Sequence, residues 1–198
     1  MSQRQQRLPA KLGTRSAGMR LSRASFGEAT LQISSSATLK SEILKASGDR
    51  NGLDRSGPEV EAIRKSIDAL EAREGSLQQL DLTSTTWRLV YTNSKGNSSG
   101  KLGPFIGRVT QVFPGDTPAQ YINKVQIGPF EAAVLAEYEY ARKDRINVTF
   151  LNTTFKLGPF RYCKETTMKG HWTLKYADEE LRILTSNQNN VFVLARVS

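Results

Sequence analysis

Histidine and cysteine are nearly missing from this chain of 198 residues, where His171 and Cys163 each stand alone. A single cysteine excludes an intrachain disulfide and suits a reducing compartment. A single histidine leaves nucleophilic chemistry without its usual base. The neighbours of His171 form no Ser/His/Asp or Cys/His signature, and alternation puts it on the polar face of its strand, opposite Trp172. Zinc sites draw on three or four Cys, His or carboxylate ligands at close spacing, and no such cluster is present. There is no G-x-G-x-x-G and no P-loop. Long apolar runs are missing too: nothing approaches the roughly 18 residues that a helix needs to cross a bilayer. The expectation is a protein with no catalytic residue, no metal and no cofactor.

Acidic residues are scarce only at one end. The whole chain carries a net charge of +9. Residues 1–40 hold seven Lys/Arg against Glu28 alone, whereas the remaining residues hold 21 Lys/Arg against 18 acids. A body so nearly balanced is a poor surface for releasing counterions from DNA or RNA, so no nucleic-acid partner is expected. The first 27 residues contain no Asp or Glu but six Lys/Arg, with Ser2, Ser16, Ser22 and Ser25 among them. They lack the apolar stretch of a secretory signal. Arg-rich, Ser-bearing and acid-poor is the composition of an organelle transit peptide; a disordered basic tail is the plainer alternative. Residues 1–35 are therefore set apart from the folded part, with cleavage expected between Ala24 and Ala37. Without a secretory signal, the three Asn-x-Ser/Thr sequons at Asn97, Asn147 and Asn152 read as strand and turn residues.

The content is otherwise ordinary: 38% hydrophobic and 8% aromatic residues provide for a sizeable core. The helical part spans 39–75. Leu39–Ala46 is a short helix candidate stopped by Gly48. A second helix starts at a capping box, Ser56 with Glu59, with Pro58 in its first turn. Val60, Ile63, Ile67 and Leu70 form its apolar stripe, and Gly75 closes it. The stripe must be buried across the outside of the next unit, at its end, or on a partner or membrane.

From 85 to 196 the period changes to two. Strands are expected at 86–92, 109–113, 121–127, 133–140, 145–151, 153–156, 171–176, 181–186 and 191–196. Eight or nine short strands at hairpin spacing predict an up-and-down barrel or a sandwich rather than an α/β fold. Leu/Ile-Gly-Pro-Phe recurs at 102–105, 127–130 and 157–160. Proline cannot donate to a sheet ladder, so these repeats mark strand ends or bends at a rim, where the phenylalanines close one end or line a mouth.

The motifs WRLVYTN at 87–93 and HWTLKYADEELRI…NVFVLAR at 171–196, with Asp49–Leu53 and the Ile63–Glu71 helix before them, resemble the plastid-lipid-associated family, also called plastid fibrillins. The resemblance covers roughly residues 39–196. One departure is Thr85, where the family usually has glycine. The resemblance implies a lipocalin-like antiparallel barrel of about eight strands preceded by one or two short helices. It implies a non-enzymatic protein of the plastid, at plastoglobules or thylakoid membranes, that binds or organises isoprenoid-type lipids such as prenylquinones or carotenoids. Its partners would be a hydrophobic small molecule or membrane lipid. The alternative is a filled barrel whose surface is a scaffold for an enzyme of prenylquinone or carotenoid metabolism.

Barrels of eight strands have room for side chains or for one small apolar ligand. Tyr138, Phe150, Trp172 and Tyr176 are the candidates for the inward face and a lipid pocket. Trp87 and Arg196 are the candidates for barrel closure. In lipocalin-like barrels a first-strand tryptophan commonly packs on a last-strand arginine, and both residues stand in matching places.

Overall fold

A computed structural model of the chain describes residues 34–73, 77 and 80–197. The transit-peptide reading of the N-terminus and the Gly75 helix stop fall outside these residues. Helix α1 (Ser36–Ser47) begins where Ser35 accepts the Thr38 backbone N–H, and helix α2 (Gly57–Glu71) carries the expected capping box of Ser56 and Glu59. Ten strands follow: β1 (Thr85–Thr92), β2 (Lys101–Leu102), β3 (Phe105–Ile106), β4 (Arg108–Phe113), β5 (Gln120–Ile127), β6 (Phe130–Arg142), β7 (Arg145–Leu157), β8 (Phe160–Ala177), β9 (Leu181–Ser186) and β10 (Val191–Arg196). β1 and β4 to β10 close an antiparallel barrel of eight strands in the order 1-10-9-8-7-6-5-4; β2 and β3 form a separate hairpin. Mainly β, with two helices leading into a closed barrel, is the fold class that the resemblance implies; of the barrel and the sandwich that alternation left open, it is the barrel.

Each Gly-Pro-Phe repeat is a two-residue hairpin turn, with Leu102 opposite Phe105, Ile127 opposite Phe130 and Leu157 opposite Phe160. The glycines take φ of 57°, 51° and 56°. Proline cannot follow with a positive φ, so the turns are of the II′ kind, whose twist suits the flanking strands. These turns allow β6, β7 and β8 to run far beyond their neighbours. β9 pairs with β8 only from Trp172 onward, so residues 160–171 form a free edge. The segments 145–151 and 153–156 are one strand, and the strand expected at 171–176 begins eleven residues earlier.

The helices lie across the outside of the barrel. Leu39, Ile43, Ile63, Ile67 and Leu70 pack on Val90, Tyr91, Tyr176, Ile183 and Val193. A second core occupies one end of the interior, which is the base: Leu80, Leu82, Trp87, Phe113, Tyr121 and Ile146 are among its buried members. Strand direction puts the starts of β1, β5, β7 and β9 at this base. The three Gly-Pro turns therefore stand at the opposite end, the mouth.

Candidate functional site

Between base and mouth the barrel encloses a cavity of about 410 Å³. Leu89, Val109, Phe150, Met168, Trp172 and Phe192 supply apolar walls from five strands. These are mostly large residues at inward positions of alternating strands, which is how the sequence places them. On one flank the cavity meets the free edge of β8 (Lys169, Gly170, His171) and the β9–β10 turn (Asn187, Gln188, Asn190). Because β9 ends at Ser186 while β8 continues, the wall is interrupted there.

Deeper in, the lining turns polar. Gln111, Tyr121 and Asn123 reach the cavity, and the buried Tyr121 hydroxyl and Asn123 Oδ1 have no hydrogen-bond partner among the described residues. Burial pushes the Tyr121 phenol well above its ordinary value, so it stays a neutral donor. Below them lies Arg182, 1% exposed. Its guanidinium sits 4.2 Å from the Trp87 ring centroid and 5.2 Å from that of Phe113, and Nη2 donates to Gln111 Oε1 at 3.1 Å. No carboxylate pairs with it among the described residues. Burial pushes this guanidinium down to about 9, with the phenols of Tyr140, Tyr138 and Tyr121 opposing, so it remains cationic at neutral pH.

The mouth has fixed edges. Asn51, at a left-handed φ of 55°, donates from Nδ2 to the carbonyls of Ser99 and Gly107, each at 3.0 Å. Gly52 follows, also left-handed, where a Cβ would stand 2.4 Å from the Tyr91 ring. The Asp49–Leu53 turn thus ties the 93–100 loop to the rim. Along the rim, between the neighbouring strands β1 and β10, Asn93 Oδ1 accepts the Val191 N–H at 2.7 Å.

Of the four predicted pocket aromatics, Phe150 and Trp172 line the cavity. Tyr138 does not: it packs edge-on to Phe113 at 5.4 Å, in the filled base. Tyr176 is a plain correction, because it lies outside the barrel under the helices. Alternation from Trp172 and Leu174 aims Tyr176 inward. A bulge at Lys175 inserts one residue, sets Tyr176 opposite Ile183 and turns it outward. Its hydroxyl donates to Asp178 Oδ2 at 2.6 Å. The closure pair also differs from expectation. Trp87 and Arg196 are opposite in the β1–β10 register, but the Arg196 guanidinium pairs with Glu179. Arg182 takes the place over the indole. Thr85 has a role as well: its hydroxyl accepts from Trp87 Nε1 at 2.9 Å and donates to the Leu82 carbonyl. Sequence reasoning missed Arg182, although it shares a face with inward Leu184. Its basic character, amid apolar neighbours, was the available signal.

Among the described residues no three His, Cys, Asp or Glu side chains gather as a metal site, and no helix is long and apolar enough to cross a membrane. A closed antiparallel barrel with a filled base and an apolar chamber under its mouth defines a lipocalin-like barrel built around an interior cavity. The profile of the PAP_fibrillin family matches residues 37–195, and the chain belongs to that family. The family points to a plastid protein associated with lipids, generally structural rather than enzymatic. No curated protein and no solved structure matches the chain.

Proposed function

We propose that this protein binds one isoprenoid-type lipid, a prenylquinone or a carotenoid, inside its barrel and carries or stores it without chemical change at plastoglobules or thylakoid membranes. The observation that carries this reading is the chamber of about 410 Å³, walled by Leu89, Phe150, Trp172 and Phe192, above a base that is otherwise packed. Its size falls in the range of small-molecule sites. It is what separates a carrier from a scaffold with a filled barrel. Each isoprene unit buried there contributes about 3–4 kcal/mol before the costs of association. An oxygen-bearing end group accounts for the deep polar residues. Tyr121 can donate to a carbonyl, and Asn123 can meet a hydroxyl, so both lose the penalty of an unpartnered buried group. A longer tail would continue along the inward faces of β5 to β8. Residues 1–35 are proposed to serve as the plastid transit peptide, leaving 36–198 as the lipid-binding domain.

The test is direct. The purified protein is extracted and any co-purifying lipid identified by mass spectrometry. It is then titrated with a fluorescent polyene and a short-chain quinone analogue. Saturable binding that Phe150→Ala weakens supports the carrier. Absence of both co-purified lipid and analogue binding would replace it with the scaffold reading.

A further inference from the structure

Two of the three Gly-Pro-Phe hairpins bring exposed apolar side chains to one end of the molecule. Phe160 is 76% exposed, Phe105 59%, Leu157 53% and Leu102 48%. They belong to two hairpins separated in sequence, and the third, at Ile127–Phe130, lies between them. The β2–β3 hairpin springs from Gly107, where a Cβ would meet Val125 and Ile127 at 2.7 Å, so its base is fastened beside the third turn. The tips are stiff. Each has two residues, one a proline, and Phe130, Phe155 and Tyr162 stack in sequence at 6.3 and 6.4 Å to brace β6 to β8.

The surroundings of these tips carry positive charge. Lys101, Arg108, Lys124, Lys156, Arg161 and Lys164 stand on the strands that bear or adjoin them, against Glu131 and Glu165. Glu131 is already engaged by Lys124 at 3.3 Å and Lys156 at 3.4 Å on the outward face of the sheet. Separate apolar points within a basic surround are the signature of an interface with anionic lipid, where wedges enter the headgroup layer and cations stay at its surface. A protein partner or a second copy would instead call for a continuous complementary face on the order of 800 Å². The positive surround would also repel the same surface of a second copy.

We infer that the mouth of the barrel docks on an anionic lipid surface by inserting the Gly-Pro-Phe tips at Phe105 and Phe160, with the basic residues on headgroup phosphates or other acidic groups. This rests on the carrier reading for its purpose, because the free edge of β8 runs from the Phe160 tip down to the interrupted wall and would lead a ligand from the lipid to the chamber. It does not rest on that reading for its test. The full chain is floated with vesicles of phosphatidylcholine alone and of phosphatidylcholine with phosphatidylglycerol. The wild type should float with the anionic vesicles and lose binding as salt rises. F105S/F160S should lower vesicle partitioning by at least about tenfold, since two phenylalanines no longer enter the lipid. K101E/R161E, which leaves the apolar tips whole, should abolish the preference for anionic vesicles. In vesicle-free buffer both variants should bind the fluorescent polyene as the wild type does. Wild-type flotation that both variants retain, or failure of the wild type to float, would overturn the docking inference whatever the polyene result. So would a concentration-dependent dimer in sedimentation that F105S/F160S disrupts. Loss of polyene binding with flotation intact would overturn the carrier reading alone.

Discussion

At the scale of single residues, the base of the barrel depends on a cation enclosed by rings. Arg182 has left water for Trp87, Phe113 and one amide oxygen, without a carboxylate among the described residues to offset its desolvation. Trp87→Ala should cost about 3–5 kcal/mol in chemical denaturation, because the ring is fully enclosed. In a double-mutant cycle Trp87 and Arg182 should show a coupling of about 0.5–2 kcal/mol. The cycle of Trp87 with Arg196 should be additive within about 0.5 kcal/mol, since that guanidinium turns to Glu179. Coupling confined to Arg196 would disprove the assignment of Arg182. The pocket residues separate in the same way. Phe150→Ala should weaken polyene binding several-fold with a modest change in melting temperature. Tyr176→Phe should leave binding unchanged, because that side chain faces the helices.

At the scale of elements, α1 is fastened to the β8–β9 turn by a small polar latch. Lys40 Nζ donates to Asp178 Oδ2 at 2.8 Å and also to Glu180. Burial acts to raise the Asp178 carboxyl, but Lys40, the Tyr176 hydroxyl and the backbone N–H groups of Glu180 and Leu181 outweigh it and hold it below its ordinary value. Burial and the Asp178 carboxylate push Tyr176 up to about 12. A carboxyl lowered on folding stabilises the protein above its ordinary value near 3.8, and this contribution disappears as pH falls through the folded value. Asp178→Asn should therefore be less stable than wild type by about 1–3 kcal/mol at pH 7. The two stability curves should converge as pH falls below 3.8, which denaturant melts across acid pH would check. A constant difference down to pH 2 would contradict the latch. Alternation predicted β9 at 181–186 as it stands, but not where β8 begins or where it changes face, because one bulged residue reverses every side chain after it.

At the scale of the molecule, the Arg-rich N-terminus and the barrel make separate predictions. A reporter carrying residues 1–40 should enter plastids and be shortened there, as gel mobility of the imported product would show. Residues 36–198 alone should keep the melting temperature of the full chain, since both cores lie within them. The chamber exists because the aromatic filling stops partway up the barrel. Phe113, Tyr121 and Tyr138 cluster at the base, Trp172 packs on top of them with its ring 5.3 Å from that of Tyr121, and beyond it Phe150 and Trp172 line the chamber. The longer strands of the mouth then carry the inward apolar face beyond the closed ring of hydrogen bonds.

The sequence by itself determined the mainly β class, a barrel of about eight strands, the two helices with the capping box of the second, and the family. Period-two alternation, capping residues and hairpin turns are local, so they can be read locally. Gly-Pro-Phe announced a rim for the same reason: no residue but proline prohibits a ladder hydrogen bond so firmly, and glycine before it supplies the turn. Only the tertiary structure decided that the barrel is filled at one end and open at the other. Whether an inward aromatic meets another ring or a void depends on side chains from strands well separated in the chain, such as those of Phe113 and Tyr138. Only the structure, too, moved Tyr176 outside and set Arg182 rather than Arg196 on Trp87. A bulge shifts register by one residue, and a long side chain at a barrel's end goes to its nearest opposite charge; neither is visible until the strands are paired.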